Sequence, residues 1–580
     1  MQSCKKLTLG LLPASLCLIT MLIVACGSGS IPAPPHVKAP DSKQVFVQPI
    51  GVADIATFDP ALSTDVNSIT AIDMVFTGLV QLDDELKVQP ELAESYEQAP
   101  DGLSWTFHLR PGLKFSDGTP LTSRDIAYSI DRALQPALKS TTAPIYLGLV
   151  LDADKLNVGK IKTIIDDSLI TPDDSTITIK VNKKASYFLQ ALTYPCSYVV
   201  ERSLIEKYGN DKFTDHLSEG GGEGPWKVQE YNHSTGIVLV PNQHYHGKKP
   251  LLRKQVLAFY KDVDTIYQAY QAGQLSIAGV PAARLTEARQ RTREYQKIPT
   301  LSITYFAMNY LVKPFDVIKI RQAFALAINK DVIESSVLKN ASIATNHIVP
   351  LGMPGYNPNL KGPAGEAGTA GDTTKARQLF AEGLQEAGYA SAAALPPIKL
   401  TYPSGSKTSA NITAACMQMW QSVLGVDVKP DPVEVNTLLT EIATAANNPR
   451  GLQMWRFGWV ADYPDPQNWL TLQFDKGAPN NTMNYGQNNS SNTIQQQANQ
   501  DLMRQADVNP DLNARLQQYM QAEQQLVEDV AWFPLTQAVV HRLVKPCVQG
   551  LVANAQSLIP PSDWAKIYIS MDSPCANATV

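Results

Sequence analysis

Beyond residue 25 the chain has no run of about 18 consecutive apolar residues, the length a membrane-spanning helix requires, so the remainder is expected to lie outside the bilayer. Histidine is scarce, 8 in 580 residues, and no GxSxG, HExxH or Walker-type sequence occurs. With no CxxC or Cys/His cluster there is no zinc site, and with no paired acids that the sequence validates, an enzyme is not expected. No cofactor is expected either. Positive charge is not in excess. Removal of Lys5 and Lys6 with the first 25 residues takes 49 basic residues to 47 against 54 acidic ones, a net of −7. That balance argues against nucleic acid and against a polybasic membrane surface. No repeat of fixed period is found, which excludes a solenoid or propeller.

What is present begins at the N-terminus. Lys5 and Lys6 precede an apolar run from Leu7 to Ala25, which ends in Ile-Val-Ala-Cys at residues 23–26. This reads as a bacterial lipoprotein signal over residues 1–25, with small Ala25 before a lipidated Cys26; Cys17 follows the bulkier Leu16 and suits that role less. A diacyl anchor on Cys26 places the protein on the outer face of a membrane, and an uncleaved signal anchor is the alternative. Residues 26–44 are rich in Gly, Ser and Pro, as in a flexible tether.

At 580 residues the chain exceeds one core and implies several lobes, while 40 prolines point to many turns. Strand-like runs (VFVQPI, STITIKV, GIVLVP, IKLTYP) mix with helical ones at residues 123–134, 318–329 and 514–530, an α/β or α+β pattern. Residues 486–500 are polar and begin as a loop. Cys196, Cys416, Cys547 and Cys575 allow three disulfide pairings. Cys547 with Cys575 closes a modest loop and is tried first, with buried free thiols as the alternative. His244 and His246, with His233 upstream, are a conceivable but incidental metal pair, and the glycines of EGGGEGPW, residues 219–226, suit a turn before a strand.

The segment MWRFGWVADYPDPQNWL, residues 454–470, carries the strongest local signal. In a strand, Met454, Arg456, Gly458, Val460 and Asp462 share one face, expected to look into a cleft or solvent. Trp455, Phe457, Trp459, Ala461 and Tyr463 share the other, expected in a core. Pro464 and Pro466 end the strand and leave Asp462 near its tip. The spacing equally fits an ordinary Arg456–Asp462 ion pair or turn former.

Five ordered blocks resemble the peptide-type (dipeptide and oligopeptide) solute-binding proteins of ATP-dependent importers: residues 91–134, ELAESYEQAPDGLSWTFHLRPGLKFSDGTPLTSRDIAYSIDRAL; 222–250, where His246 takes a usually aromatic position; YFAMNYLVKPFDVIKIRQAFALAIN; GWVADYPDPQNWL; and AEQQLVEDVAWFPL. The likeness covers roughly residues 45–560. It implies an α/β, two-lobed periplasmic-binding-protein-like fold with a hinge and an additional third domain. Lobe one would take 45–78, 197–300 and 535–580, the additional domain 79–196, and lobe two 301–534, with the hinge at chain crossings near 300 and 534. It further implies a monomer that holds peptide between the lobes and meets the permease subunits of an ABC importer. By this resemblance Asp462 holds the peptide ammonium, Arg456 stands near the ligand carboxylate, and backbone at Gly458, Trp459 and Val460 pairs with an extended peptide. Ser63, Thr64, Asp65 and Val66 line the cleft from the first lobe. Asp465 is open to either the amine role or a turn cap. Trp105, Phe107, Asp117, Gly118, Pro314 and Arg321 read as structural. The same architecture with a sugar or metal chelate as ligand, or a surface lipoprotein without a transport role, is the alternative.

The anchor is directly testable: Cys26→Ser is expected to move the protein out of the membrane fraction and abolish lipid labelling, whereas retention without label would favour the uncleaved signal anchor.

Overall fold

Val45–Gly51 alternates its side chains between two layers, with Phe46 and Ile50 in one core and Val47 in another. It pairs in parallel with Lys254–Phe259, which continues antiparallel through Gly236–Pro241 to Trp226–Asn232. This mixed sheet is the first of three larger sheets in the computed structural model, which describes residues 36–571 apart from 52, 53 and 261. The expected signal segment, most of the tether, Cys26 and Cys575 lie outside the described residues.

A second, antiparallel sheet runs in the order Ala93–Gln98, Ser104–Leu109, Thr176–Lys180, Leu169–Asp173. Helix Ser123–Leu134 covers it, contributing Ile126, Ala127, Ile130 and Leu134 to one core with Phe107 and Ile177. Its N-cap is Thr122, in a capping box with Asp125.

The third sheet has seven strands. Its centre is an antiparallel pair of long strands, Tyr295–Met308 and Phe533–Val544. Met454–Val460 and then the parallel strands Ile398–Pro403 and Val428–Val433 extend it on one side. Both faces are buried: Phe306, Met308, Leu400 and Met454 face one core, and Ile303, Tyr305, Ala307 and Trp455 another. The long pair is not regular. Between the partners Pro299–Val539 and Ile303–Gln537, three residues, Thr300, Leu301 and Ser302, stand against Ala538 alone.

The other two expected helices are present with shifted ends, at Ile318–Leu326 and Leu512–Glu528, and the polar loop turns into helix Thr493–Val508. The glycine-rich turn has a steric cause. A Cβ on Gly222 would lie 2.3 Å from the Val75 carbonyl oxygen, and one on Gly224 2.8 Å from the Val75 carbonyl carbon. Cys196 and Cys416 are buried free thiols, while Cys547 is buried and disulfide-bonded. His246 lies 3.5 Å from Glu91 and His233 2.5 Å from Asp54, in separate environments.

A buried ion pair joins the first two sheets' cores: Arg132 donates from both terminal nitrogens to Asp59, at 3.1 and 2.5 Å. Arg132→Met is expected to strand that carboxylate and lower stability by roughly 3–5 kcal/mol. Urea denaturation of the variant beside the parent checks this.

Candidate functional site

The irregular middle of the long pair opens one wall of a cavity of about 590 Å³, within the range of small-molecule sites. Thr300, Leu301, Ser302, Ala538 and Val540 form that wall. Facing it are helix Val66–Val75, reached through Thr64 and Asp65, and the stretch around Tyr194 and Tyr198. Val460, Ala461 and Asp462 close one end, and residues 555–558 the other.

Asp462 follows the last strand residue and is fixed by Asn468, whose amide donates to Asp462 Oδ2 at 2.9 Å and whose Oδ1 accepts from the Asp462 N–H at 3.2 Å. The Tyr146 hydroxyl also faces it. Burial pushes the carboxyl up to about 6, and among the described residues no Lys, Arg or His pairs with it. A carboxylate in this position gains most from an incoming ammonium, which restores the charge pairing lost with water.

Asp465, three residues on, has the opposite fate. It is 2 % exposed, takes an ion pair from Arg515 at 2.5 Å, and caps the short helix Pro466–Asn468 by accepting from the Gln467 N–H. The choice left open in the sequence closes here: Asp465 is the turn cap.

Among the expected site residues, Thr64, Asp65, Val66, Val460 and Asp462 reach the cavity. Asp65 also caps its helix, accepting from the N–H groups of Asn67 and Ser68 at 3.1 and 3.0 Å. Ser63, Arg456, Gly458 and Trp459 are not on the cavity wall. Ser63 is fully buried behind it, donating to the Pro60 carbonyl, and Trp459 turns its indole to Asn468 at 3.0 Å. Arg456 corrects the face assignment. It does not look into a cleft or solvent; it is buried against helix Lys407–Leu424, where Nη2 donates to Ser409 Oγ. The cause is the sheet itself, covered on both faces, so the side of the strand with the charged residue is as enclosed as the aromatic one. No carboxylate pairs with Arg456 among the described residues, its Nε has no hydrogen-bond partner, and burial lowers its pKa. Tyr463 likewise leaves the sheet's own core and packs in the core under the second sheet, its ring 6.3 Å from Tyr187 and 6.1 Å from Tyr146.

One edge of Met454–Val460 completes the site. The strand pairs along its whole length with Tyr295–Met308, from Met454–Met308 to Val460–Ser302. On the other edge it pairs with Ile398–Pro403 only at Met454 and Trp455. From Arg456 to Val460 that edge has no strand partner among the described residues, and Val460 is 55 % exposed. Such an edge is a template for an added strand. The sequence reading missed Asp73, Tyr194, Tyr198 and residues 555–558. Of these only Asp73 carried a signal, since it lies three and four residues along one helical face from Val66 through Ile69.

A family model described as bacterial extracellular solute-binding proteins, family 5, middle, matches residues 87–481. The chain belongs to this family. Its relatives include the oligopeptide-binding protein OppA of Bacillus subtilis, 28% identical over 471 residues, 80% of this chain and 84% of that protein. The periplasmic oligopeptide-binding protein OppA of Salmonella typhimurium is 28% identical over 540 residues, 92% of this chain and 94% of the relative. Among solved structures, Haemophilus influenzae OppA in complex with RPPGFSPFR superposes with a TM-score of 0.70 at 26% identity, covering 91% of this chain and 99% of that one. The unliganded open form of the murein tripeptide-binding protein MppA gives 0.73 at 24% identity, covering 92% and 98%. The fold is α/β, of the two-lobed periplasmic-binding-protein type with an additional domain. These relatives are named as binding proteins. Among the described residues no helix is long and apolar enough to cross a membrane.

The raised carboxyl at Asp462 has a consequence for stability. A carboxyl that holds its proton more tightly folded than unfolded, from an ordinary 3.8 to about 6, makes stability fall as pH rises through that window. Asp462→Asn is therefore expected to melt higher than the parent above pH 6 and to match it near pH 4, by up to about 3 kcal/mol at 1.36 per unit. Thermal melts of the ligand-free protein between pH 4 and 7 read this, and parallel curves for the two proteins would contradict it.

Proposed function

We propose that the protein is a lipid-anchored extracytoplasmic receptor that captures peptides between its lobes and delivers them to an ATP-dependent membrane importer. One observation carries the reading. An open strand edge from Arg456 to Val460 runs to a carboxylate, Asp462, that has no cationic partner among the described residues. Peptide backbone can add to the edge as a strand without regard to side chains, while Asp462 holds the α-ammonium and sets the register. Arg456, off the cavity wall and buried against helix Lys407–Leu424 without a carboxylate, takes the ligand carboxylate in this reading only where that packing opens to the ligand. Gly458 and Trp459 then contribute backbone only, and Thr64, Asp65 and Val66 the facing wall. The names of the relatives, as oligopeptide-binding proteins, support the choice of ligand.

The lobe division proposed is the one read from the sequence, with 45–78, 197–300 and 535–580 in lobe one, 79–196 as the additional domain and 301–534 in lobe two. The irregular pairing at residues 299–303 supports a hinge near 300, since an interrupted ladder resists bending less than a continuous one. Closure over ligand would give the permease a state to distinguish. Cys26 supplies the lipid anchor and holds a monomeric receptor at the outer face of the membrane.

Asp462→Ala is expected to weaken peptide binding at least hundredfold in a folded protein, read by calorimetry with a mixed peptide library. Unchanged affinity would remove Asp462 as the ammonium anchor. Mass spectrometry of the ligand co-purified with the unmodified protein tests the class: peptides are expected, and a sugar or metal chelate in their place would overturn the peptide reading.

A further inference from the structure

Helix Val66–Val75 turns one face to the cavity, Val66, Ile69 and Asp73, at the spacing of neighbours on a helical surface. Asp73 has no use in the peptide reading above, yet its setting is unusual. Its Oδ1 is buried and has no hydrogen-bond partner. The Tyr198 hydroxyl, which donates to the Thr193 carbonyl at 3.1 Å, also lies beside the Asp73 carboxyl and offsets part of the effect of burial on it. Of the cavity carboxylates among the described residues, Asp65 takes two helix-cap N–H groups at Oδ1 and leaves Oδ2 open, Asp462 takes the Asn468 amide, and Asp73 has the Tyr198 hydroxyl beside it and its Oδ1 open. Among the described residues no Lys, Arg or His lines the cavity.

Two further features bear on what would satisfy it. Asp73 sits in the last turn of its helix, where the carbonyl ends carry partial negative charge and favour a cation. Behind it lies a narrow annex of about 60 Å³, bounded by Gln48, Thr70, Asp73 and Arg542 among others, room for about two water-sized groups. Arg542 does not neutralise Asp73: its Nε donates to Gln296 Oε1 at 2.8 Å, and no ion pair joins the two. Burial raises the Asp73 carboxyl to about 7, so a cation arriving beside it would draw it into the charged form.

We propose that Asp73 is a specificity residue that selects ligands bearing a second cationic group, a lysine-like side-chain ammonium, in addition to the α-ammonium held at Asp462. An ammonium is the size of a water molecule, and its flexible stem can lie along the apolar wall of Val66, Ile69 and Leu301 while the head reaches Asp73. The inference rests on the peptide reading of the same cavity and adds a side-chain preference to it.

Calorimetry with three tri-alanine derivatives carrying lysine at the first, second or third position, each beside its norleucine counterpart, tests the idea on the full protein and on Asp73→Asn. The parent is expected to favour lysine over norleucine by about tenfold or more in at least one register. In Asp73→Asn that ratio is expected to fall to near one, with norleucine peptides bound within about twofold of the parent. Equal affinity for lysine and norleucine in every register of the parent would overturn the proposal without needing the variant, and so would a lysine preference that survives in Asp73→Asn. If the parent bound neither series, the peptide reading itself would fail and this inference with it, a result distinct from tight but unselective binding.

Discussion

The cavity exists because the two long central strands do not pair evenly. Where Thr300, Leu301 and Ser302 stand against Ala538, the extra residues lift the backbone out of the ladder. Its freed groups are taken by other parts of the chain. Leu301 donates to the Ala555 carbonyl at 3.0 Å and accepts from the Ala461 N–H at 2.8 Å, and the Gln537 side chain donates to the Thr300 carbonyl at 3.0 Å. Residues 461 and 555 are thereby tied to the interruption, and both line the cavity. A regular ladder would have used those backbone groups between the strands and left neither segment held at the cavity.

Within that frame the charges divide by satisfaction. Arg132 with Asp59 and Arg515 with Asp465 are enclosed pairs with good geometry, and each fastens an element to its core. Asp462, Asp73 and Arg456 are enclosed without such partners among the described residues. An unpaired charge in a protein interior is costly to the folded chain, and its natural complement is a ligand that brings the opposite charge. The DYPDP sequence shows the contrast within four residues, one aspartate spent on the fold and the other left without a cationic partner among the described residues.

Much of the fold was legible because it rests on local rules. Alternation located the strands at 45–51, 236–241, 398–403 and 454–460, and helical spacing located 123–134 nearly to the residue. The Asp462 position was legible because strand-ending prolines and an ordered set of motifs surround it. Arg456 was misplaced for an equally physical reason. Alternation correctly put it on Met454's side of the strand, but which sides are covered depends on strands and helices distant in sequence, here Ile398–Pro403 and Lys407–Leu424. Asp73 was overlooked because a lone aspartate in a helix is ordinary until the helix is seen against a cavity. The free thiols of Cys196 and Cys416 were an open alternative that only packing decides.

Tyr463 gives the cavity a mechanical side. The residue next to Asp462 in the chain is buried with Tyr146 and Tyr187 in a core otherwise built under the separate antiparallel sheet, and Ser186 of that region donates to the carbonyls of Asp507 and Asn509. Any motion that parts these bodies must draw an aromatic ring out of a packed core, at a cost of roughly 1.5–3 kcal/mol. In the proposed reading, the arrangement that keeps this ring packed carries weight of its own before a ligand arrives. That weight would then set the fraction of molecules ready to bind and scale every ligand's apparent affinity by the same factor. A smaller side chain at 463 would thus weaken all ligands alike, leaving their order of preference to the charges inside the cavity.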